Sequence, residues 1–490
     1  MRSTSSADSS AKFASFIDAL LFHAVRAPNN PAIGLESGVI TYGQLADAIF
    51  AATARCEKAG LRPGSVVGLM ISEPVWHICL IAALYRLGVP SVSIGASTLT
   101  LQSLRLAAVL HDAALPGGFS GNAMPVEADW FTHRASSSRL PDASFGETDL
   151  CRIALSSGTT GEPKPIALSP QIIWDRLTTY SFRGSFSCSE RIYCGPQLQS
   201  QFGFAIAFSA LAYGKMVCFS DSAETSIPVM SYYKADLAII SVFQLNRLIE
   251  VQEKNLGGLS ALREIQAGGA LISESLLQRT RKYLTSAIVS AYASTEAGTA
   301  AFANVEQLGN AHAEGAIGFV TPWTSVDICD DEHRVLPPGR DGNVRIRSLG
   351  LAPMYEPGMT RVETPEPFFP GDYGRLLSNG ILVIAGRTTE VVNIGGNKMS
   401  PDRFENIILQ CRGVKDAAVF TVDVNSTLPQ VWAAVVADST VDVGEIVKRC
   451  GETPMIGTPT VIKIVPSIPR NSAGKILREQ LRKDLTKSSA

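Results

Sequence analysis

The chain has 490 residues, 46% of them hydrophobic and 18% charged, with a formal net charge of −2. That length accommodates roughly two to four domains with ample cores. The near-neutral balance removes bulk electrostatic attraction to nucleic acid, and no apolar run is long enough for a transmembrane segment. Nine cysteines include no Cys-x-x-Cys pair, and the six histidines form no ligand cluster with them. A reduced thiol set and a cytoplasmic location are therefore expected, and a zinc site is not.

The opening dozen residues are Ser-rich and lack the apolar stretch of a secretory signal. Residues 13–25 carry helical spacing through Phe13, Phe16, Ile17, Leu20, Leu21 and Ala24, and Pro28 and Pro31 stop them. Helices are expected over residues 42–59 and 76–87, each closed by glycine, with strands at 66–71 and 89–94. This alternation of β and α predicts a layered α/β fold. Residues 116–146 show little pattern and read as surface connection.

Two short apolar runs, 153–155 and 166–168, read as strands. Between them lies Ser156-Ser157-Gly158-Thr159-Thr160-Gly161-Glu162-Pro163-Lys164. Such a stretch cannot bury a core. It can bring backbone N–H groups, hydroxyls and one ammonium against a polyphosphate, with Gly158 and Gly161 allowing close approach. It is not a Walker A loop, because Lys164 falls three after Gly161 and Pro165 follows it. Beyond it, Ser169 and Pro170 open a helix to about residue 180, and residues 202–210 form an apolar helix after Gly195-Pro196. Strands are expected at 216–219, 237–241, 262–267, 288–292 and 342–347, with a helix over 242–254. After Arg387 the pattern changes to a unit of strands at 417–422, 431–436 and 461–465 and helices after Ser400-Pro401 and over 443–450, a small α+β domain.

The Ser156–Lys164 stretch resembles the phosphate loop of the adenylate-forming superfamily, which includes acyl- and aryl-CoA synthetases, luciferases and adenylation domains of peptide synthetases. The family's other motifs follow in order. Gly268-Gly269-Ala270 resembles its adenine wall, and Tyr292-Ala293-Ser294-Thr295-Glu296 its Tyr-Gly-x-Thr-Glu motif, with Ala293 in place of glycine. The resemblance implies that Thr295 bonds the α-phosphate and that Glu296 holds Mg²⁺. It implies that Asp372 in Gly371-Asp372-Tyr373-Gly374 grips the ribose and that Arg387 contacts ribose or phosphate. Gly395-Gly396 would line the thiol tunnel, and Lys475 in Asn471-Ser472-Ala473-Gly474-Lys475 would be the catalytic lysine, screening the attacking carboxylate from the α-phosphate.

The resemblance covers nearly the whole chain. It implies a large layered α/β N-terminal domain (1–386), a hinge (387–389, with Thr389 a departure from the usual residue) and a small mobile α+β C-terminal domain (390–490). The acid pocket would involve Gln199, Phe202, Phe204 and Gly268, with Gln199 or Gln201 near the family's histidine position. No aspartate stands between Gly195 and Gly214 to hold an ammonium group, so a simple carboxylic acid, aliphatic or aromatic, fits better than an α-amino acid. The implied cofactors are ATP, Mg²⁺ and coenzyme A, or a phosphopantetheine carrier protein as the alternative acceptor. A nucleotide-binding protein that has lost catalysis is the other alternative.

Overall fold

A computed structural model describes residues 15–95, 102–115, 119, 121–132, 145–156, 163–255, 258–285, 287–363, 365, 367–388, 392–394, 397–399, 401–422, 430–452, 458–470 and 476–487. Most expected elements are present within a residue or two of their limits. The first helix is Phe16–Arg26, opened by a capping box in which Ser15 and Asp18 satisfy each other's end of the first turn. The next is Tyr42–Lys58, opened the same way by Thr41 and Gln44.

Two large sheets carry the N-terminal part. Among the described residues the smaller has six strands, in the order Ala123–Pro125, Leu106–His111, Val66–Met70, Ser91–Ser93, β1 (Arg152–Ser156) and β2 (Lys164–Leu168). All neighbours in it are parallel except the last pair, an antiparallel hairpin. The edge strand Ala123–Pro125 corrects part of the surface connection expected over 116–146, where the buried Trp130 also anchors a short helical turn. Three residues cannot display a period, so that strand left no pattern to read.

The larger sheet has 13 strands among the described residues. Its site-bearing strands are β3 (Glu264–Gly268), β4 (Ile288–Ser294), β5 (Gly298–Asn304), β6 (Asp372–Leu376) and β7 (Ile381–Arg387). From Pro31–Leu35 through Met216–Cys218, Arg191–Cys194 and Leu237–Ser241 to β3 and β4 the strands are parallel. At β4 the chain turns back, and β5 and the strands beyond it are antiparallel. The change of direction leaves the carboxyl ends of the parallel strands facing one side, where α/β sheets bind ligands.

Helices cover both faces. One continuous apolar core joins the two sheets through Phe16–Arg26, α1 (Pro170–Ser181) and Gln201–Ala212. A second core lies on the other face of the large sheet, under Ala223–Tyr232, Val242–Asn255 and Glu274–Tyr283. Near the C-terminus, the strands Val414–Val422, Gln430–Ala437 and Val461–Ile464 form a separate three-stranded sheet. Pro401–Ile408 and Val443–Glu452 pack on one face of it and Arg478–Lys487 on the other, each with its own apolar cluster. Among the described residues, no helix is long and apolar enough to cross a membrane.

Candidate functional site

The β1–β2 hairpin sets Ser156 directly opposite Lys164, so both ends of the Ser/Gly/Thr loop are fixed by the ladder at the carboxyl end of a parallel strand. Ser156 is buried and Lys164 exposed. Ser157, Gly158, Thr159, Thr160 and Gly161 lie outside the described residues, as do Gly395, Gly396 and Lys475.

Thr295 and Glu296 occupy the tight turn between β4 and β5, both half-buried. The Ser294 hydroxyl accepts from the Ala297 amide at 3.0 Å, and Gly298 supplies the positive φ of +69° that turns the chain back. Residues 350–355 connect this turn to the hairpin. Ala352 donates its amide to the Glu296 carbonyl at 2.9 Å, Ala167 donates to Pro353 at 2.9 Å, and Tyr355 donates to Pro165 at 2.8 Å. Two motifs well separated in sequence are thereby laced into one frame by backbone bonds.

Asp372 and Arg387 are register partners on the antiparallel pair β6–β7. Arg387 Nε stands 3.1 Å from Asp372 Oδ1, and the Tyr292 hydroxyl donates to Oδ2. Arg387 also donates to the Pro370 carbonyl. Asp372 is only 6% exposed, and this pairing offsets the burial of its carboxyl group. Burial, then the Asp372 charge, holds the Tyr292 phenol well above its ordinary range, so it remains a donor.

Tyr292, Asp372 and Arg387 line a cleft of about 1190 Å³, which reaches the β4–β5 turn at Ser294; Thr295, Glu296, Ser156 and Lys164 are not among its lining residues. Its floor is made by the carboxyl ends of parallel strands: Gly195, Ser241, Gly268, Gly269 and Ala270, then Tyr292 to Ser294. Gly269 has φ +93°, which lets the backbone turn away and leave a flat surface. Gln244 ties two of the strand ends together, donating to the Gly195 carbonyl at 2.6 Å and accepting from the Ser241 amide at 2.9 Å. No sequence motif pointed to Gln244. The opposing wall comes from the C-terminal unit: Glu405, Asp416, Arg470, Ile476 and Arg478. Arg470 pairs with Asp416 at 2.8 Å and Arg478 with Glu405 at 2.7 Å. Arg470 and Ile476 bridge each other, and the Arg470 guanidinium lies 5.9 Å from the Phe243 ring of the large sheet's side. Both immediate flanks of the loop that bears Lys475 thus face the cleft that holds Tyr292, Asp372 and Arg387.

The expected acid pocket is only partly there. Gly268 lines the cleft, but Gln199, Phe202 and Phe204 are not among its lining residues. Gln199 donates to the Ile71 carbonyl at 2.8 Å. Phe204 is fully buried, edge-on to Phe16 and under the Arg152 guanidinium at 4.4 Å. Phe202 packs against the same core. The helix Gln201–Ala212 is apolar on every side, so it is buried on every side. It backs the site and does not line it.

Magnesium fits the donor set by its chemistry. Glu296 offers a carboxylate that no hydrogen-bond donor engages among the described residues. No group of three or more potential protein ligands occurs among the described residues. Mg²⁺ suits such a site, since it takes one or two carboxylates and completes its shell with phosphate and water.

Comparison with known proteins agrees with this geometry. The sequence is 24% identical over 404 residues to 4-coumarate--CoA ligase-like 9 of Oryza sativa subsp. japonica, covering 76% of this chain and 70% of that protein. It is 24% identical to indoleacetate--CoA ligase of Aromatoleum aromaticum, with 72% of each covered. A match to bacitracin synthase 3 of Bacillus licheniformis, 23% identical, takes in 94% of this chain but 8% of that much longer protein. Among solved structures, MatB from Rhodopseudomonas palustris with bound ATP superposes with a TM-score of 0.83, at 20% identity over 97% of this chain and 100% of that one. O-succinylbenzoate CoA synthetase (MenE) from Bacillus subtilis, in complex with an acyl-adenylate, gives 0.82 at 18% identity over 95% and 97%. At these identities the superpositions establish the fold. The model of the AMP-binding enzyme family matches residues 21–356, well over half the chain, and the protein is therefore a member of that family, within the adenylate-forming superfamily.

Proposed function

We propose that the protein activates a carboxylic acid, aliphatic or aromatic, with ATP and transfers the acyl group to the thiol of coenzyme A. In the first half-reaction a carboxylate oxygen attacks the α-phosphorus. The bond to the bridging oxygen breaks, and pyrophosphate leaves with that electron pair, giving an acyl-adenylate. In the second, the thiolate attacks the acyl carbonyl and AMP departs. Neither step needs a side-chain nucleophile; orientation and charge screening carry the catalysis.

The adenine and ribose roles follow the cleft, and the remaining roles follow the motifs. Gly269 and Ala270 take the adenine, Asp372 the ribose hydroxyls, and Arg387 the ribose or α-phosphate. Ser156, Lys164 and the loop between them hold the β- and γ-phosphates. Thr295 donates to the α-phosphate. Glu296 would hold Mg²⁺, which when bound neutralises phosphate charge. Lys475 screens carboxylate from phosphate, and the C-terminal unit turns about residues 387–389 to bring Gly395 and Gly396 to the thiol.

The observation that carries this reading is the shared cleft: Arg470 and Ile476, flanking the Lys475 loop, face Tyr292, Asp372 and Arg387. Relatives named as CoA ligases for coumarate, indoleacetate and medium-chain fatty acids support a simple acid. The match of 94% of the chain to bacitracin synthase 3 favours one second reading, a carrier-bound phosphopantetheine as acceptor. A panel of acids scored by ATP–pyrophosphate exchange, followed by thioester detection with free CoA or a carrier protein, tests both. Acid-dependent exchange with thioester on free CoA is expected. ATP binding without exchange for any acid would leave a nucleotide-binding protein without catalysis.

A further inference from the structure

Arg176 sits two turns into α1, the helix that follows the phosphate-loop hairpin, and is 6% exposed. Its guanidinium reaches across to three backbone carbonyls. Nε donates to Gly350 at 2.8 Å, Nη1 to Thr295 at 2.9 Å and Nη2 to Glu296 at 2.6 Å. Its stem runs between two glycines: a Cβ at Gly350 would come to 2.7 Å of Arg176 Cγ, and one at Gly298 to 3.5 Å. Among the described residues it forms no ion pair with a carboxylate. Burial lowers its pKa to about 10, with the Glu296 charge opposing the shift, so it is cationic at neutral pH.

A buried cation bonded, among the described residues, to carbonyls alone is a costly way to fill space, since an apolar side chain of similar volume packs there without desolvation. What an apolar side chain cannot do is hold three carbonyls in one plane. Two of those carbonyls belong to Thr295 and Glu296. The third opens residues 350–355, which bond in turn to the Glu296 carbonyl and to β2. We propose that Arg176 is a positioning residue that locks the Thr295–Glu296 turn in register with the phosphate-loop hairpin, so that the groups bonding the α-phosphate and holding Mg²⁺ stand at a fixed place relative to the loop. The role rests on the acid-activation reading for its chemical meaning, but the lock itself is a property of the free protein.

The test compares the full-length protein with Arg176→Met and Arg176→Lys by amide hydrogen exchange and by kinetics. In Arg176→Met, exchange over residues 295–297 and 350–355 is expected to accelerate about tenfold or more, with Leu237–Ser241 and β3 unchanged and Arg176→Lys in between. The Mg²⁺ concentration for half-maximal pyrophosphate exchange is expected to rise about tenfold while the KM for the acid moves less than about twofold. Uniform acceleration across all strands would make Arg176 a core brace only, and unchanged exchange at 350–355 would remove the lock; either overturns the proposal. If Arg176→Met does not fold, Arg176→Lys carries both measurements. If the wild-type protein shows no acid-dependent exchange of pyrophosphate, the activation reading falls, and the amide data alone decide the lock.

Discussion

Asp372→Asn changes almost no volume, and its consequences can be worked through atom by atom. The carboxylate now forms an ion pair with Arg387 Nε at one oxygen, 3.1 Å away, and accepts from the Tyr292 hydroxyl at the other. Arg387 Nε can only donate, so the asparagine carbonyl must face it, and the amide nitrogen must face Tyr292, whose hydroxyl rotates to accept. The fold therefore tolerates the change, but the ion pair becomes a contact charged on the Arg387 side alone and the Tyr292 bond becomes neutral. That costs about 2–3 kcal/mol in all before solvent screening at the partly exposed Arg387. The ribose loses more specifically. An amide offers one acceptor oxygen where a carboxylate offers two, a loss of about 1.5–3 kcal/mol toward two hydroxyls, or roughly 10- to 150-fold in apparent ATP affinity. The assay is ATP–pyrophosphate exchange with ATP, 2′-deoxy-ATP and 3′-deoxy-ATP. Wild type should discriminate against both deoxy forms, and Asp372→Asn should lose most of the discrimination against one of them. Full wild-type discrimination in the variant would refute the assignment of Asp372 to the ribose.

Three further outcomes are expected. Lys475→Ala should slow adenylate formation by about 100-fold or more while ATP affinity moves less than about threefold; unchanged pyrophosphate release would reject its role. His77 is buried beside Ser93 at 2.8 Å, and burial, with Arg152 adding repulsion, depresses its pKa from 6.5 to about 3. Between those values the unfolded chain binds the proton and the folded chain does not, so stability is full above pH 6.5 and falls as pH drops. His77→Gln should flatten that limb by up to about 1.4 kcal/mol per pH unit in urea titrations, and an unaltered slope would contradict the buried neutral state. A Cβ at Gly203 would overlap the Gln197 carbonyl oxygen, which is backbone and cannot swing aside. Gly203→Ala should therefore cost about 1–3 kcal/mol in urea unfolding; a midpoint equal to wild type would show that the Gln197 loop yields freely.

Elements with a long apolar signature were readable from the residues alone. The strand Leu237–Ser241 stands at its expected limits, and the Ser169-Pro170 pair marked the start of α1. Arg191–Cys194 carried no such signature, because four residues opening on an arginine look like any loop. Within the site, Asp372 and Tyr292 were each singled out, yet their bond joins residues 80 apart and no local pattern encodes it. Gln244 and Arg176 were missed for the same reason: a glutamine or arginine in a helical stretch is ordinarily solvated, and only tertiary packing turns it toward backbone carbonyls. Phe204 misled in the opposite direction. The family resemblance implied a ligand wall here, but a helix with no polar face has no side left over for a ligand.

The bridge between Arg470 and Ile476 bears on how reactivity is governed. Ile476 is the covalent neighbour of Lys475, one Cα–Cα step of about 3.8 Å away. Whatever shifts this bridge relative to Asp372 therefore shifts the point of the chain from which the proposed catalytic lysine extends. If the C-terminal unit turns as proposed, a substitution far along the chain from the phosphate-binding motifs would slow the first half-reaction by altering only the angle at which that unit meets the large sheet.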